Sequence, residues 1–275
     1  LSGNSILLPP LQEVINRHGL LAKKSLGQNF LLNQEMTRRI AHIAEDFKDV
    51  TVLEIGPGPG GLTRSLLERG AQIVAIERDH RCVDILKELQ EAFSGQLEVI
   101  DGDALFLKPQ QVIPKGRIKI VANLPYNIGT PLLIQWLANL DRICSLTLMF
   151  QKEVALRLFA KPRTKDYGRL SILVQWRCEG KRIFDLPPRA FTPAPKVTSS
   201  VVHLVPKTMK PSEIALFPII EKTTQYAFGQ RRKMIRTSLK PLFSQDKLIT
   251  LGLNPCMRAE ELCVENYVLL AQNAS

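Results

Sequence analysis

Several things are scarce or missing in these 275 residues. No apolar run approaches the ~18 residues needed to cross a bilayer, so no membrane helix is expected. Cysteine is rare and odd in number: Cys82, Cys144, Cys178, Cys256 and Cys263, with no C-x-x-C spacing. That count argues against a disulfide framework and a zinc site, and for a reducing, cytoplasmic setting. The four histidines are widely scattered, so no metal centre is expected. The opening L-S-G-N-S-I-L-L-P-P has no charged n-region and is interrupted by Pro9 and Pro10, so it does not read as a signal peptide. No strongly amphipathic basic helix carries bulky aromatics for insertion into an anionic membrane. Internal repeats and low-complexity tracts are absent too.

What is present begins with charge. The net charge is +11, and it is one-sided. Residues 1–150 carry 16 Lys+Arg against 16 Asp+Glu, whereas residues 151–275 carry 21 against 10. Such an excess points to a polyanionic partner for the second part of the chain.

From residue 51 short apolar runs alternate with helical spacing. Strands are expected at 51–56, 72–77, 97–100, 118–122 and 145–150, with helices at 62–70, 79–90 and 131–137. This alternation predicts a parallel α/β sheet covered on both faces. Two later runs, L-S-I-L-V-Q-W (170–176) and T-S-S-V-V-H-L-V (198–205), are read as strands that finish the sheet. The proline-rich stretch 186–197 is a loop, and P-K-T-M-K-P (206–211) a linker. Helices are expected beyond it, around 212–228, 229–243 and 257–272. The domain reading is therefore 1–206 for the sheet and 207–275 for a small all-helical domain.

E-I-G-P-G-P-G-G-L-T (54–63) joins the first strand to a helix. Gly56, Gly58 and Gly61 match G-x-G-x-x-G, and Glu77 ends the second strand 21 residues after Gly56. Glycines let backbone approach a nucleotide-like ligand, and a terminal carboxylate accepts from ribose hydroxyls. A pyrophosphate needs clustered N–H donors, which Pro57 and Pro59 cannot supply. Glu54 would repel a diphosphate and suits a cation. S-adenosylmethionine fits these features better than a dinucleotide. Asp103, in D-G-D-A (101–104), is placed to accept from an adenine amino group, although an Asp-Gly turn explains it equally well.

N-L-P-Y-N-I-G-T-P (123–131) follows the apolar run I-K-I-V-A. An amide and a flat ring on one rigid corner can grip a nucleobase. The side-chain oxygen of Asn123 and the carbonyl of Leu124 are acceptors for an adenine amino group, and Tyr126 offers a stacking face. Phe191 is the expected opposite face. An ordinary strand-ending turn with a packed tyrosine is the alternative.

Taken together, Q-N-F-L (28–31), E-I-G-P-G-P-G-G-L-T, I-E-R (76–78), D-G-D-A-L (101–105), N-L-P-Y-N-I-G-T-P-L-L (123–133), F-T-P-A-P-K-V-T-S (191–199) and F-G-Q-R-R-K (228–233) occur in order. This series resembles the bacterial small-subunit ribosomal RNA adenine dimethyltransferases, from about residue 22 into the C-terminal part. The resemblance implies a Rossmann-like, seven-stranded class I methyltransferase sheet whose last strand is antiparallel, followed by a small helical domain. It implies cofactor contacts at Asn29, Leu31, Gly56, Glu77, Asp103 and Asn123, to which the residue reading adds Glu54 and Gly58. It also implies dimethylation of adenosine N6 in 16S RNA, with a role in small-subunit biogenesis and an immature 30S particle as partner. A monomer without metal is expected.

In the tail, Arg232, Arg236 and Lys240 fall at i, i+4 and i+8 of the expected helix beside Phe228, Ile235 and Leu239. With Arg231 and Lys233 they form the expected RNA contact; a solvated charged face is the plainer alternative. Rival functions are a large-subunit resistance methyltransferase, a DNA N6-adenine methyltransferase, a non-catalytic assembly factor and a dinucleotide dehydrogenase.

Overall fold

The computed structural model describes residues 8–274; the opening L-S-G-N-S-I-L, where no signal peptide was read, lies outside the described residues. In chain order the first part contains α1 (Leu11–Arg17), β1 (Phe30–Leu31), α2 (Gln34–Ala44), β2 (Val50–Ile55), α3 (Gly61–Leu67), β3 (Gln72–Glu77), α4 (His80–Ala92), β4 (Leu97–Asp101), α5 (Pro109–Val112) and β5 (Arg117–Asn123). There follow α6 (Gly129–Ala138), β6 (Ile143–Gln151), α7 (Lys152–Leu158), α8 (Arg169–Arg177), β7 (Cys178–Leu186), β8 (Phe191–Thr192) and β9 (Ser199–Pro206). The tail holds α9 (Pro211–Ile214), α10 (Phe217–Gly229), α11 (Ile235–Ser238), α12 (Gln245–Thr250) and α13 (Val264–Gln272).

Seven strands form one sheet in the order β4-β3-β2-β5-β6-β9-β7. The pairs β4/β3, β3/β2, β2/β5 and β5/β6 are parallel, and β9 runs antiparallel to β6. The seven-stranded expectation and its antiparallel last strand hold. Val52, Leu53, Ile73, Ala75, Ile120 and Val121 are buried in the central strands, as the near-continuous apolar runs of a two-sided parallel sheet require. A separate two-stranded sheet pairs β1 with β8 antiparallel, Leu31 opposite Phe191.

The run 170–176 is a helix, α8, and not the expected strand. Ile172, Leu173, Val174 and Trp176 are all buried, so apolar residues occupy every side and the 3.6-residue period disappears. Gly168 opens the helix and donates its N–H to Ser171 Oγ at 3.0 Å. The strand that completes the sheet is β7, whose start C-E-G-K-R is largely exposed and carries no strand signal.

The expected helix 229–243 is broken as well. α10 ends at Gly229, a residue that weakens helical backbone, and of the rest of that range only Ile235–Ser238 is α-helical. The Ile235 N–H donates to Met257 O at 2.7 Å and the Arg236 N–H to Pro255 O at 3.2 Å. These partners lie some twenty residues along the chain, so the backbone leaves the i→i−4 pattern. The stripe Arg232, Arg236, Lys240 is therefore not one helical face.

Packing divides the chain into two compact units. One comprises residues up to Leu133, Leu140–Lys152 and Ile183–Leu204; the other comprises Ile134–Asn139, Glu153–Arg182 and Val205 onward. The second unit thus resumes beside the expected 206/207 boundary and also takes in earlier segments. Within it Tyr167, Phe228 and Tyr267 pack ring to ring, with centroids 6.2 Å apart in each step. The Tyr167 and Tyr267 hydroxyls donate to Leu262 O and Ala259 O, both at 2.9 Å.

Candidate active site

A cavity opens at the carboxyl ends of β2, β3, β4 and β5, where such sheets hold ligands. Its lining includes Asn29, Leu31, Glu54, Gly56, Gly58, Gly61, Glu77, Asp103, Asn123, Leu124 and Tyr126. The residues expected to bind cofactor and base are thereby brought to one place. Phe191 is placed apart: its ring is buried in the apolar cluster with Leu31 and Val201 and is not part of the cavity wall.

The glycine loop follows β2 directly. Gly56, Gly58 and Gly60 take φ values of +64°, +57° and +88°, left-handed backbone that a side chain disfavours. Gly61 is excluded from larger residues for another reason: a Cβ there would stand 2.6 Å from Leu31 O. The loop is thus roofed by the N-terminal segment. Gln28 Nε2 donates to Asp79 Oδ2 at 2.8 Å, tying that segment to the N-cap residue of α4. Arg81, bonded to the same carboxylate, is the main reason Asp79 is held at a pKa of about 2. This roof explains why Asn29 and Leu31 line the cavity, a fact that their local sequence does not carry.

Glu77 ends β3 almost fully buried. Its Oε1 accepts from the Arg78 and Asp79 N–H groups at 2.8 and 2.9 Å, and Oε2 accepts from Gly58 N–H at 2.9 Å. Burial raises its pKa, and the three backbone donors oppose that shift. A carboxylate offers about four acceptor positions, so Oε2 keeps one for a ligand hydroxyl. Asp103 accepts from Leu105 N–H at Oδ1 and pairs with Arg78 at 3.0 Å through Oδ2.

Glu54 is only 1% exposed, and its Oε2 has no partner among the described residues. Burial pushes its pKa up to about 8, with the nearby Glu77 carboxylate adding to the rise. Thr63 opposes that rise, but a buried carboxylate oxygen without a partner is costly to keep charged unless a cationic group meets it. These acceptors thus fit a ligand that carries an ammonium and hydroxyls.

The base corner is equally constrained. Asn123 Nδ2 donates to Asn29 O at 3.3 Å. A backbone carbonyl can only accept, so this bond fixes which end of the amide is nitrogen and leaves Oδ1 as the acceptor. Pro125 O accepts from Ile128 and Gly129 N–H, both at 3.1 Å, which folds the corner into α6. The Tyr126 hydroxyl meets Ser199 Oγ at 2.6 Å, and burial raises its pKa.

The sequence matches the family model for ribosomal RNA adenine dimethylase over residues 19–274. The chain belongs to that family. Two similar proteins are called ribosomal RNA small subunit methyltransferase A. The protein from Rhizobium etli is 52% identical over 97% of this chain and 98% of its own, and that from Allorhizobium ampelinum is 54% identical over 96% and 97%. Among solved structures, a dimethyladenosine transferase from Plasmodium falciparum is similar with a TM-score of 0.73 and 27% identity, over 86% of this chain and 94% of that one. The 23S rRNA methyltransferase ErmE is similar with a TM-score of 0.64 and 29% identity, over 89% and 98%. The methyltransferase reading of the fold is therefore established at the level of the family.

The four residues expected to meet RNA are placed differently from one another. Arg231 pairs with Glu260 at 2.7 Å and donates to Thr164 O at 3.1 Å. Arg232, Lys233 and Arg236 are exposed and have no ion-pair partner among the described residues. The sequence shows no acidic residue between Lys222 and Gln245, but Glu260 arrives from beyond that window. Gln28, Phe30 and Arg78 were not singled out by residue chemistry. Only their membership of Q-N-F-L and I-E-R marks them.

Proposed function

We propose that the chain transfers methyl groups from S-adenosylmethionine to N6 of adenosines in small-subunit ribosomal RNA, twice on the same nitrogen. The oriented amide of Asn123 beside Tyr126, in the same cavity as Glu54, whose Oε2 has no partner among the described residues, carries this reading. S-adenosylmethionine supplies an electrophilic methyl on a sulfonium. Glu54 would meet the ammonium, the free position of Glu77 Oε2 a ribose hydroxyl, and Asp103 the adenine amino group. Two prolines in the loop withhold the N–H donors that a pyrophosphate would need.

Adenine N6 is a weak nucleophile because its lone pair is delocalised into the ring. Asn123 Oδ1 and the Leu124 carbonyl, accepting from the amino hydrogens, favour a pyramidal nitrogen. Tyr126 stacks on the base, a contact contributing about 1–3 kcal/mol. No strong base is required, because an arylammonium product is acidic enough to lose its proton to water. Catalysis then rests mainly on positioning, worth up to roughly 7–11 kcal/mol in well-aligned systems. Phe191 pairs with Leu31 across the two short strands and its ring is buried in their apolar cluster, so its proposed part is to hold β8 against β1. Arg232, Lys233 and Arg236 are the proposed phosphate contacts. The proposed setting is the cytoplasm, with a single copy of the chain meeting an immature small subunit and no metal ion taking part.

Mass spectrometry of nucleosides tests this, after incubation with S-adenosylmethionine and small subunits lacking native methylation. Large subunits and duplex DNA run in parallel. N6,N6-dimethyladenosine in small subunits alone is expected. The mark in large subunits, as the likeness to ErmE would favour, transfers the reading to that substrate; binding without any mark removes catalysis.

A further inference from the structure

The hydroxyl of Ser199 is fully buried and lies 2.6 Å from that of Tyr126. It is a polar contact of the ring whose face is proposed to hold the base. β6 lies between β5 and β9, with Met149 opposite Asn123 on one side and Gln151 opposite Ser199 on the other. Ser199 is therefore offset along β6 by two residues, about 7 Å, from the level of Asn123. That offset is in the direction the chain takes on leaving Asn123 for Tyr126. Neighbouring side chains on a strand point to opposite faces. Ser200 accordingly turns away from Tyr126 and donates to Asp185 Oδ1 at 2.7 Å, and Asp185 is paired with Lys152 at 2.8 Å. The ionic tie anchors the beginning of β9 from one face while Ser199 presents its hydroxyl from the other.

We infer that Ser199 is a positioning residue for methyl transfer, holding the ring of Tyr126 at its hydroxyl end so that one face stays set for the target base. The backbone corner at Pro125 fixes the ring's other end. A ring pinned only at Cβ would sample other rotamers, and each productive encounter would then require the ring to be ordered again. This inference rests on the proposed platform role of Tyr126.

The test uses the full chain and single-turnover methylation of small subunits lacking native methylation. S-adenosylmethionine affinity is measured by calorimetry on the same preparations. Ser199→Ala is expected to slow transfer about tenfold, the rate equivalent of one lost hydrogen bond, with cofactor affinity unchanged. Ser199→Thr, which keeps the hydroxyl, restores the rate. Tyr126→Phe removes the same bond from the other side and shows the same loss, and Ser199→Ala adds nothing in that background. If Ser199→Ala fails to fold, Tyr126→Phe alone still decides, because a full rate in that variant overturns the inference. A loss from Ser199→Ala that persists undiminished beside Tyr126→Phe overturns it as well. Tyr126→Ala separates the two levels: if it keeps full turnover, the platform reading itself fails. If it is slow but the Ser199 and Tyr126→Phe effects are independent, only the positioning role falls.

Discussion

The cavity at the sheet ends and the basic stretch after α10 treat charge in opposite ways. In the cavity Glu54 and Glu77 are buried, and Glu77 is met by backbone N–H groups, those of Arg78 and Asp79 beside it and that of Gly58 in the glycine loop. Near α11 the basic groups are mostly exposed, and the one that is paired, Arg231, finds its carboxylate 29 residues away. The first region is marked in the sequence by its glycine loop and strand-ending carboxylate, whereas the second is marked only by a run of charge. A charge run says how many charges are present, but not which of them tertiary structure has already engaged.

The sharpest way to break this contrast is to remove a cavity carboxylate. Glu77→Ala is expected to weaken S-adenosylmethionine binding about 10- to 150-fold, the effect of losing a hydrogen bond to a charged group. RNA binding should be preserved. Calorimetry with cofactor beside filter binding with RNA checks this, and equal loss of both would mean that the fold had failed.

The cofactor half of the cavity is legible in the sequence because G-x-G-x-x-G, Glu77 and the strand–helix alternation are contiguous and periodic signals. The corner at 123–126 was legible for the same reason, since four residues carry an amide, a proline and a ring. What was not legible depends on contacts distant in sequence. The Asn29 carbonyl that orients Asn123 lies 94 residues away, and Ser199 lies 73 residues from Tyr126. The all-round burial of α8 erased the period that would have marked it as a helix, and β7 begins in polar residues that hide a strand. Asn29 and Leu31 entered only through family resemblance, and the geometry supplies their reason: both lie in the segment that roofs the glycine loop.

Burial of Glu54 should make stability depend on pH. Its folded pKa, about 8, is above the ordinary 4.5, so between those values the folded protein holds a proton that the unfolded chain has lost. Stability from this group is full below pH 4.5 and falls as pH rises through 8, by about 1.4 kcal/mol per unit within the window. Urea unfolding at pH 5 and pH 8 without cofactor should show a smaller decline in Glu54→Gln than in the unmodified chain. Parallel declines would remove the buried carboxylate as their cause.

The smallest expected effect sharpens the comparison from the other region. Arg232→Ala with Arg236→Ala should flatten the salt dependence of RNA binding by about 1.4–1.8 in log–log slope, two phosphate contacts' worth. Arg231→Ala should leave that slope almost unchanged, because its charge is already directed at Glu260. A slope that moves with Arg231 and not with the other two would reverse the assignment.

The central claim is that one cavity holds two separable devices, a carboxylate-lined cofactor half and a base-gripping corner. The most direct measurement is the rate of dimethyladenosine formation by Tyr126→Ala, with S-adenosylmethionine affinity determined on the same protein. The account predicts a loss of transfer of roughly 5- to 150-fold, from the stacking contribution, with cofactor affinity within about twofold of the unmodified chain. Unchanged transfer, or a loss of affinity as large as the loss of rate, would contradict it.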